Sequence, residues 1–136
     1  MAVITPLSRR YETYSDFFKD MTQSPVNADL ARKVDENSVK ESVRNLILTN
    51  RGERLFQPEI GCDIRQLLFE NISADTIIIA KEIIRTTIEN YEPRCNIIGI
   101  DILASIDSND IGIIVTFNII NREAPVDLTL TLDRVR

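Results

Sequence analysis

The feature that most constrains the fold is a change of hydrophobic period after Pro93. Beyond this proline, apolar residues recur at every second position, which is typical of strands with one buried face. Turn-forming residues at 107–110 and 121–125 interrupt the pattern twice, so it predicts three strands joined in an antiparallel meander. The predicted buried faces comprise Ile98, Ile100, Ile102, Ala104 and Ile106; Ile111, Ile113, Val115, Phe117 and Ile119; and Val126, Leu128, Leu130 and Leu132.

Before Pro93 the apolar spacing is helical and predicts three helices. Ser38 and Glu41 have the S-x-x-E spacing of a capping box, so the first helix is expected to begin at Ser38 and to end near Asn50. A short helix capped by Asp63 and a long helix capped by Ser73 follow. Helices followed by an antiparallel sheet define the α+β class.

Residues 1–37 lack a sustained period and are interpreted as an N-terminal arm, with one short helical turn near Asp16 to Met21. Residues 38–136 are then a single α+β domain. A domain of this size can bury a substantial core.

Composition excludes several classes of function. The 136 residues contain no histidine, which rules out histidine bases, histidine nucleophile partners and histidine metal ligands within this chain. Cys62 and Cys95 lack metal-ligand spacing and are interpreted as reduced, buried thiols, with a disulfide as the alternative. A net charge of -5 argues against nucleic acid as a partner, and no apolar run is long enough to cross a membrane. No cofactor or metal is expected.

The stretch LTNRGERLFQPEIGCDIRQLLFE, residues 48–70, concentrates charges, glycines and a proline between two apolar patches. Its residues fit either a solvated helix end or an internally bonded loop. We favour the second interpretation, in which Glu53 and Arg54 bind neighbouring backbone and hold the segment from Pro58 to Gly61 in place. The residues assigned to this loop scaffold are Arg51, Gly52, Glu53, Arg54, Pro58 and Gly61.

Glu92, Pro93 and Arg94 stand at the junction between the long helix and the first strand. Proline fixes its own backbone and drives Glu92 out of helical conformation, so both charges would be presented from a stiff corner. From these residues alone, a helix stop with two solvated charges is the preferred interpretation.

A three-stranded sheet leaves two edges with unpaired backbone groups. Either the N-terminal arm or another protein could protect such an edge. Charged residues near the end of the chain, Asp127, Asp133, Arg134 and Arg136, could equally prevent edge-to-edge aggregation.

The joint spacing of GER, PEIG, LLFE and EPR, with YSDFF and VKESVRNLILTNRGER upstream, resembles the baseplate wedge proteins of contractile-tailed bacteriophages. The T-even-type members are the most similar, and the family is related to a baseplate subunit of type VI secretion systems. The resemblance covers nearly the whole chain. Asn71 departs from it where many members have proline, and Ile60 departs where an aromatic residue is common.

The resemblance implies a structural role without catalysis. The fold would be similar to the strand-exchange domain of the tail sheath subunit, and the protein would initiate the sheath by offering sheet edges for strand addition. Glu92, Pro93 and Arg94 would dock on the helical core bundle of the wedge, and the last strand, with Thr129, Thr131 and Asp133, would receive sheath arms. Other partners would be baseplate proteins near the hub or tube. The location would be the virion tail baseplate, after assembly in the host cytoplasm.

The alternative is a lysozyme-like glycoside hydrolase, because some descriptions of the family carry a lysozyme label. Candidate carboxylates are Glu53, Glu59, Asp63 and Glu70, and hydrolysis needs two of them flanking the scissile bond. Phe69 near them does not supply the set of stacking aromatic residues expected in a sugar groove, and no cleft is indicated. The chain is therefore predicted not to be an enzyme.

Overall fold

The computed structural model describes residues 13–67, 69, 73–105, 110–120, 122 and 124–133. Two compact units, Met1–Ser38 and Val39–Arg136, are described separately below. No helix in the described part of the chain is long and apolar enough to cross a membrane. The elements are β1 (Ser15–Phe17), β2 (Arg32–Val34), α1 (Glu36–Leu48), α2 (Ile64–Leu67), α3 (Ala74–Tyr91), β3 (Cys95–Ser105), β4 (Asp110–Ile119) and β5 (Pro125–Asp133).

The described part of the N-terminal unit contains an antiparallel pair of short strands, β1 and β2. The carboxylate of Asp35 accepts hydrogen bonds from the backbone N–H of Thr13 and Tyr14 at 2.9 and 3.4 Å. The predicted helical turn near Asp16 to Met21 is wrong at its start, because Asp16 lies in β1 and pairs with Lys33. Backbone pairing between residues 17 positions apart competes successfully with the local helical tendency.

Helix α1 begins at Glu36, two residues earlier than the capping box predicted. Asp35 adopts a φ of 52°, which turns the chain from β2 directly into the helix. Ser38 therefore lies inside the first turn, where its hydroxyl is buried and has no hydrogen-bond partner among the described residues. The capping box of Ser38 and Glu41 is wrong, although a helix at this place is confirmed.

The two later helices differ in how well the sequence predicted them. Ser73 caps α3 as expected, since its Oγ accepts from the backbone N–H of Thr76 at 3.2 Å. Helix α2 spans only Ile64–Leu67, whereas the prediction extended to Asn71, outside the described residues. The side chain of Asp63 turns toward Arg51, with 3.6 Å between Oδ2 and the arginine Nε, instead of capping α2.

Strands β3, β4 and β5 form the predicted antiparallel meander, in the order β3-β4-β5. One face of the sheet is buried, with Phe117 fully enclosed at its centre. Helix α3 lies against β3, so the helix-to-sheet junction at residues 92–94 sits at the edge of this core. Both cysteines are free and buried, and no disulfide joins them.

A β-bulge in β3 changes the predicted face of one residue. The register shifts between Ile97 and Gly99, so Ile98 is an extra residue in the ladder. Ile97 lies opposite the buried Phe117, while Ile98 is 55% exposed. The prediction that Ile98 shares the core face with Ile100 is wrong, because a bulge reverses the alternation on one side of it.

Candidate functional site

Glu92 ends α3 and lies in the protein interior. Its φ of -129° and ψ of 75° are not helical, while its backbone N–H still donates to the carbonyl of Ile88 at 2.8 Å. The following proline disfavours a helical conformation at Glu92, which agrees with the end of α3 here. Glu92 is only 3% exposed, so the interpretation of Glu92 as a solvated charge at the surface is wrong.

The carboxylate of Glu92 binds the guanidinium of Arg94 in a two-point arrangement. Arg94 Nε donates to Oε1 at 2.5 Å, and Nη2 donates to Oε2 at 2.7 Å. The side chain of Arg94 is 30% exposed, so the guanidinium reaches the surface from a buried support. The two charged residues that flank Pro93 therefore bind each other.

A third residue, Ser42 on α1, completes this cluster and was missed from the sequence. Its hydroxyl donates a short hydrogen bond to Glu92 Oε2. Fifty positions separate the two residues, so no local motif could reveal the contact. The available signal was a small polar residue beside Val43, in the buried stripe of α1.

Two opposing effects act on the pKa of Glu92. Burial would raise it by disfavouring the charged form, but hydrogen bonds from Arg94 and Ser42 and the positive charge of Arg94 outweigh burial. The pKa of Glu92 is therefore held below its ordinary value. The carboxylate stays ionised at neutral pH and keeps its hold on the guanidinium.

The loop at residues 50–61, between α1 and α2, is held by its own backbone. Gly52 N–H donates to the carbonyl of Pro58 at 2.8 Å. Glu53 Oε2 accepts from the N–H of Asn50 at 2.9 Å, as the scaffold interpretation expected of Glu53. The N–H of Arg51 donates to Asp63 Oδ1 at 3.4 Å, which joins the start of the loop to the residue before α2.

Gly61 brings the end of the 50–61 loop close to the backbone of Thr49, the residue that follows α1. Its φ is +146°, and a Cβ placed there would meet the Thr49 carbonyl oxygen at 2.7 Å. The next residue, Cys62, donates its N–H to the same oxygen at 2.7 Å. Tyr91 ties the loop to α3 by donating its hydroxyl to the carbonyl of Glu59 at 2.9 Å.

The tip of the 50–61 loop is apolar and faces solvent. Leu55 is 93% exposed and Phe56 is 97% exposed. Neighbouring Arg54 has no side-chain hydrogen bond or ion pair to another described residue. The expectation that the Arg54 side chain ties the loop to nearby backbone is therefore not met among the described residues.

The backbone of β5 has one side directed away from β4. Ile120 N–H donates to the carbonyl of Arg94 at 2.9 Å, which fixes the alternation of bonded and non-bonded pairs along β4. In this register Phe117 and Ile113 exchange bonds with Val126 and Leu130. The backbone groups of Thr129 and Thr131 must then point outward, and Asp133 pairs with Asp110 at the end of the ladder.

The carboxylates considered for hydrolysis do not form a catalytic pair in the described residues. Glu53 binds backbone, Asp63 pairs with Arg51, and Glu59 is exposed. Glu70 lies outside the described residues. Within the same ranges, no group of cysteine and acidic side chains is arranged to hold a metal ion.

Comparisons with known proteins agree with this architecture. The chain is 30% identical to baseplate wedge protein gp25 of Enterobacteria phage T4 over 114 residues, covering 84% of this chain and 86% of that protein. A crystal structure from Geobacter sulfurreducens, named as a candidate tail lysozyme, shares the fold with a TM-score of 0.68 and 20% identity. That match covers 74% of this chain and 92% of the other.

The fold also matches a chain in the cryo-EM structure of the anti-feeding prophage baseplate. The TM-score is 0.63 and the identity 18%, with 87% of this chain and 83% of that chain covered. The family model described as baseplate wedge protein gp25 matches residues 33–123. With most of the chain matched by the family model and by the phage T4 relative, this protein belongs to the gp25 family of baseplate wedge proteins.

Proposed function

We propose that this chain is a structural component of a phage tail baseplate, in which it docks on helices of the wedge through Arg94 and starts the sheath at the edge of β5. The observation that carries the docking proposal is the surface-reaching guanidinium held by a buried carboxylate. The wedge would be built in the host cytoplasm and retained in the virion. Other baseplate proteins near the hub or tube would complete its surroundings.

Arg94 has the chemistry expected of a docking residue. A guanidinium is planar and always charged, and it binds carboxylates or the carbonyls at a helix end in a fixed geometry. Because Glu92 already holds the guanidinium of Arg94 in the free protein, less side-chain entropy is lost when a partner binds. Pro93 contributes by fixing the backbone between the two charges.

Arg94→Ala is expected to leave the domain folded, at a lower melting temperature because the buried carboxylate of Glu92 loses its partner, and to weaken incorporation into wedges. Removing a charge pair that becomes desolvated in the complex costs about 2 to 5 kcal/mol of binding. The measurement compares the melting temperature with co-purification of the variant and co-expressed wedge proteins. Arg85→Ala, on the exposed face of α3, is the matched control.

If Arg94→Ala assembles normally, Arg94 is only a solvated residue after a helix. If the variant no longer folds at the temperature of assembly, the role of Arg94 is internal to the fold.

The edge of β5 supports the second half of the proposal. Thr129 and Thr131 direct backbone donors and acceptors away from β4, and their side chains are exposed. An extended arm of a sheath subunit would gain a pair of main-chain hydrogen bonds at every second residue that it aligns. Attachment of this kind needs no deep pocket.

Thr129→Pro and Thr131→Pro are expected to give protein that folds and enters the baseplate but yields tails without sheath. Proline at these positions removes an outward N–H and leaves the ladder with β4 intact. Leu130→Pro is the contrasting variant, because it breaks a bond to β4 and should unfold the sheet. Electron microscopy of the tails gives the result, and full-length sheath on both threonine variants would rule out this edge.

The proposal assigns no hydrolytic activity to the chain, despite the name of the Geobacter sulfurreducens structure. Glu53 and Asp63 are engaged in holding the 50–61 loop through Asn50 and Arg51. Purified protein is expected not to clear suspensions of bacterial cell walls. Clearing that disappears in Glu53→Gln or Glu70→Gln would contradict the proposal.

A further inference from the structure

We propose that Ser42 is a positioning residue for Arg94, acting through Glu92. The inference rests on the proposed docking role of Arg94 and extends the docking site to helix α1. Ser42 acts on Arg94 through the supporting carboxylate, to which its hydroxyl donates.

The planar carboxylate of Glu92 links Ser42 to the guanidinium of Arg94. Glu92 Oε2 accepts from both the Ser42 hydroxyl and Arg94 Nη2, while Oε1 accepts from Arg94 Nε. The last torsion of a glutamate side chain is intrinsically broad, so the carboxylate plane is set by its hydrogen-bond donors. Because two parallel bonds align the guanidinium with that plane, a donor that fixes the carboxylate also fixes Arg94.

Without Ser42, the carboxylate of Glu92 would keep Arg94 as a partner but would lose its hydrogen bond from helix α1. Glu92 and Arg94 are only two residues apart, and a local pair of this kind can rotate together about its own side-chain torsions. Ser42 lies on a different element and is flanked by the fully buried Val43. The hydroxyl therefore ties the pair to the packed part of the domain.

Ser42→Ala tests this inference, with two matched variants. Ser42→Thr keeps a hydroxyl at the same place and should restore the wild-type behaviour. Ser38→Ala removes a second serine hydroxyl one helical turn away, which is buried and makes no hydrogen bond, and it should leave Arg94 unaffected. Alanine suits a helix, so α1 is expected to remain folded in both alanine variants.

The first readout is the Arg94 Nε–H signal in nitrogen-15 NMR spectra of the isolated protein. Ser42→Ala removes the hydrogen bond from Ser42 to the Glu92 carboxylate. The less firmly held carboxylate should let the Arg94 Nε–H proton exchange with solvent about tenfold faster. Ser42→Thr and Ser38→Ala should keep the wild-type rate. An unchanged rate in Ser42→Ala would overturn the inference, as would an equal acceleration in Ser38→Ala.

The second readout is co-purification with the wedge proteins, measured beside the melting temperature. Ser42→Ala should lower incorporation several-fold with little change in melting temperature, and Ser42→Thr should restore it. Normal incorporation of Ser42→Ala together with faster exchange would overturn the role in docking. Normal incorporation of Arg94→Ala would instead overturn the proposed function, while the NMR comparison would still decide whether Ser42 positions Arg94.

If Ser42→Ala does not fold, Ser42→Cys provides the same test. A thiol preserves most of the side-chain volume but donates weakly. Its exchange rate should exceed that of wild type, and a rate equal to wild type would contradict the inference.

Discussion

Gly61→Ala is expected to destabilise the protein by about 3 kcal/mol. Alanine is strained at the positive φ of this residue, and its Cβ would also clash with backbone atoms. The new Cβ would lie 2.7 Å from both the carbonyl carbon of Asn50 and the carbonyl oxygen of Thr49. These are backbone atoms, so they cannot move aside as a flexible side chain would. The measurement is the free energy of unfolding from urea denaturation.

Two other glycines separate the steric and conformational terms. Gly52 has a φ of +82° but open space around a Cβ, so Gly52→Ala should cost only about 1 kcal/mol. Gly99 lies in β3, also in open space, and Gly99→Ala should change stability by less than about 0.5 kcal/mol. A loss for Gly61→Ala no larger than that for Gly52→Ala would show that the loop can move away from α1.

Glu92→Gln is expected to lower the free energy of unfolding by about 2 kcal/mol at neutral pH. The amide removes the negative charge opposite the guanidinium of Arg94, and a mostly buried cation loses its ionised partner. Gln57→Glu makes the opposite change, from an amide to a carboxylate, on an exposed side chain. It should have little effect on the free energy of unfolding. Urea denaturation of the three proteins provides the comparison.

The effect of Glu92→Gln should depend on pH in a defined direction. The pKa of Glu92 in the folded protein is below its ordinary value of 4.5, so the unfolded chain takes up a proton first as pH falls. The stabilisation is fully present above that ordinary value and is lost as pH falls through the folded pKa. The gap between wild type and Glu92→Gln should therefore narrow below about pH 4.5. A gap that stays constant down to about pH 3 would show that ionisation of Glu92 contributes nothing.

The sheet could be predicted in detail because the alternating pattern of β4 and β5 depends on a single requirement, burial of one face. Every residue expected on the core face of β4, from Ile111 to Ile119, is buried. The same reasoning failed at Ile98, where a bulge adds one residue to β3. Two neighbouring isoleucines, Ile97 and Ile98, fit either phase, so the hydrophobic pattern alone could not locate the bulge.

The supporting contacts of the candidate site were beyond the reach of the sequence. Glu92, Pro93 and Arg94 are adjacent in the chain, so their possible pairing was visible before the fold was known. The contribution of Ser42 depends on how α1 lies beside the end of α3, and no spacing rule encodes that distance. Ser38 misled the prediction for a related reason, because its capping-box spacing with Glu41 is also compatible with a position inside the helix.

The reactivity of the two buried cysteines can be used to follow local unfolding of the protein. Burial, reinforced by the nearby charge of Glu92, raises the pKa of the Cys95 thiol to about 12, and burial likewise raises the pKa of Cys62. Thiol reagents attack the thiolate, so neither cysteine should react at neutral pH until its surroundings separate. Cys62 follows the 50–61 loop and Cys95 begins β3. The order in which the two are labelled would reveal whether the loop or the sheet comes apart first when the subunit is stressed.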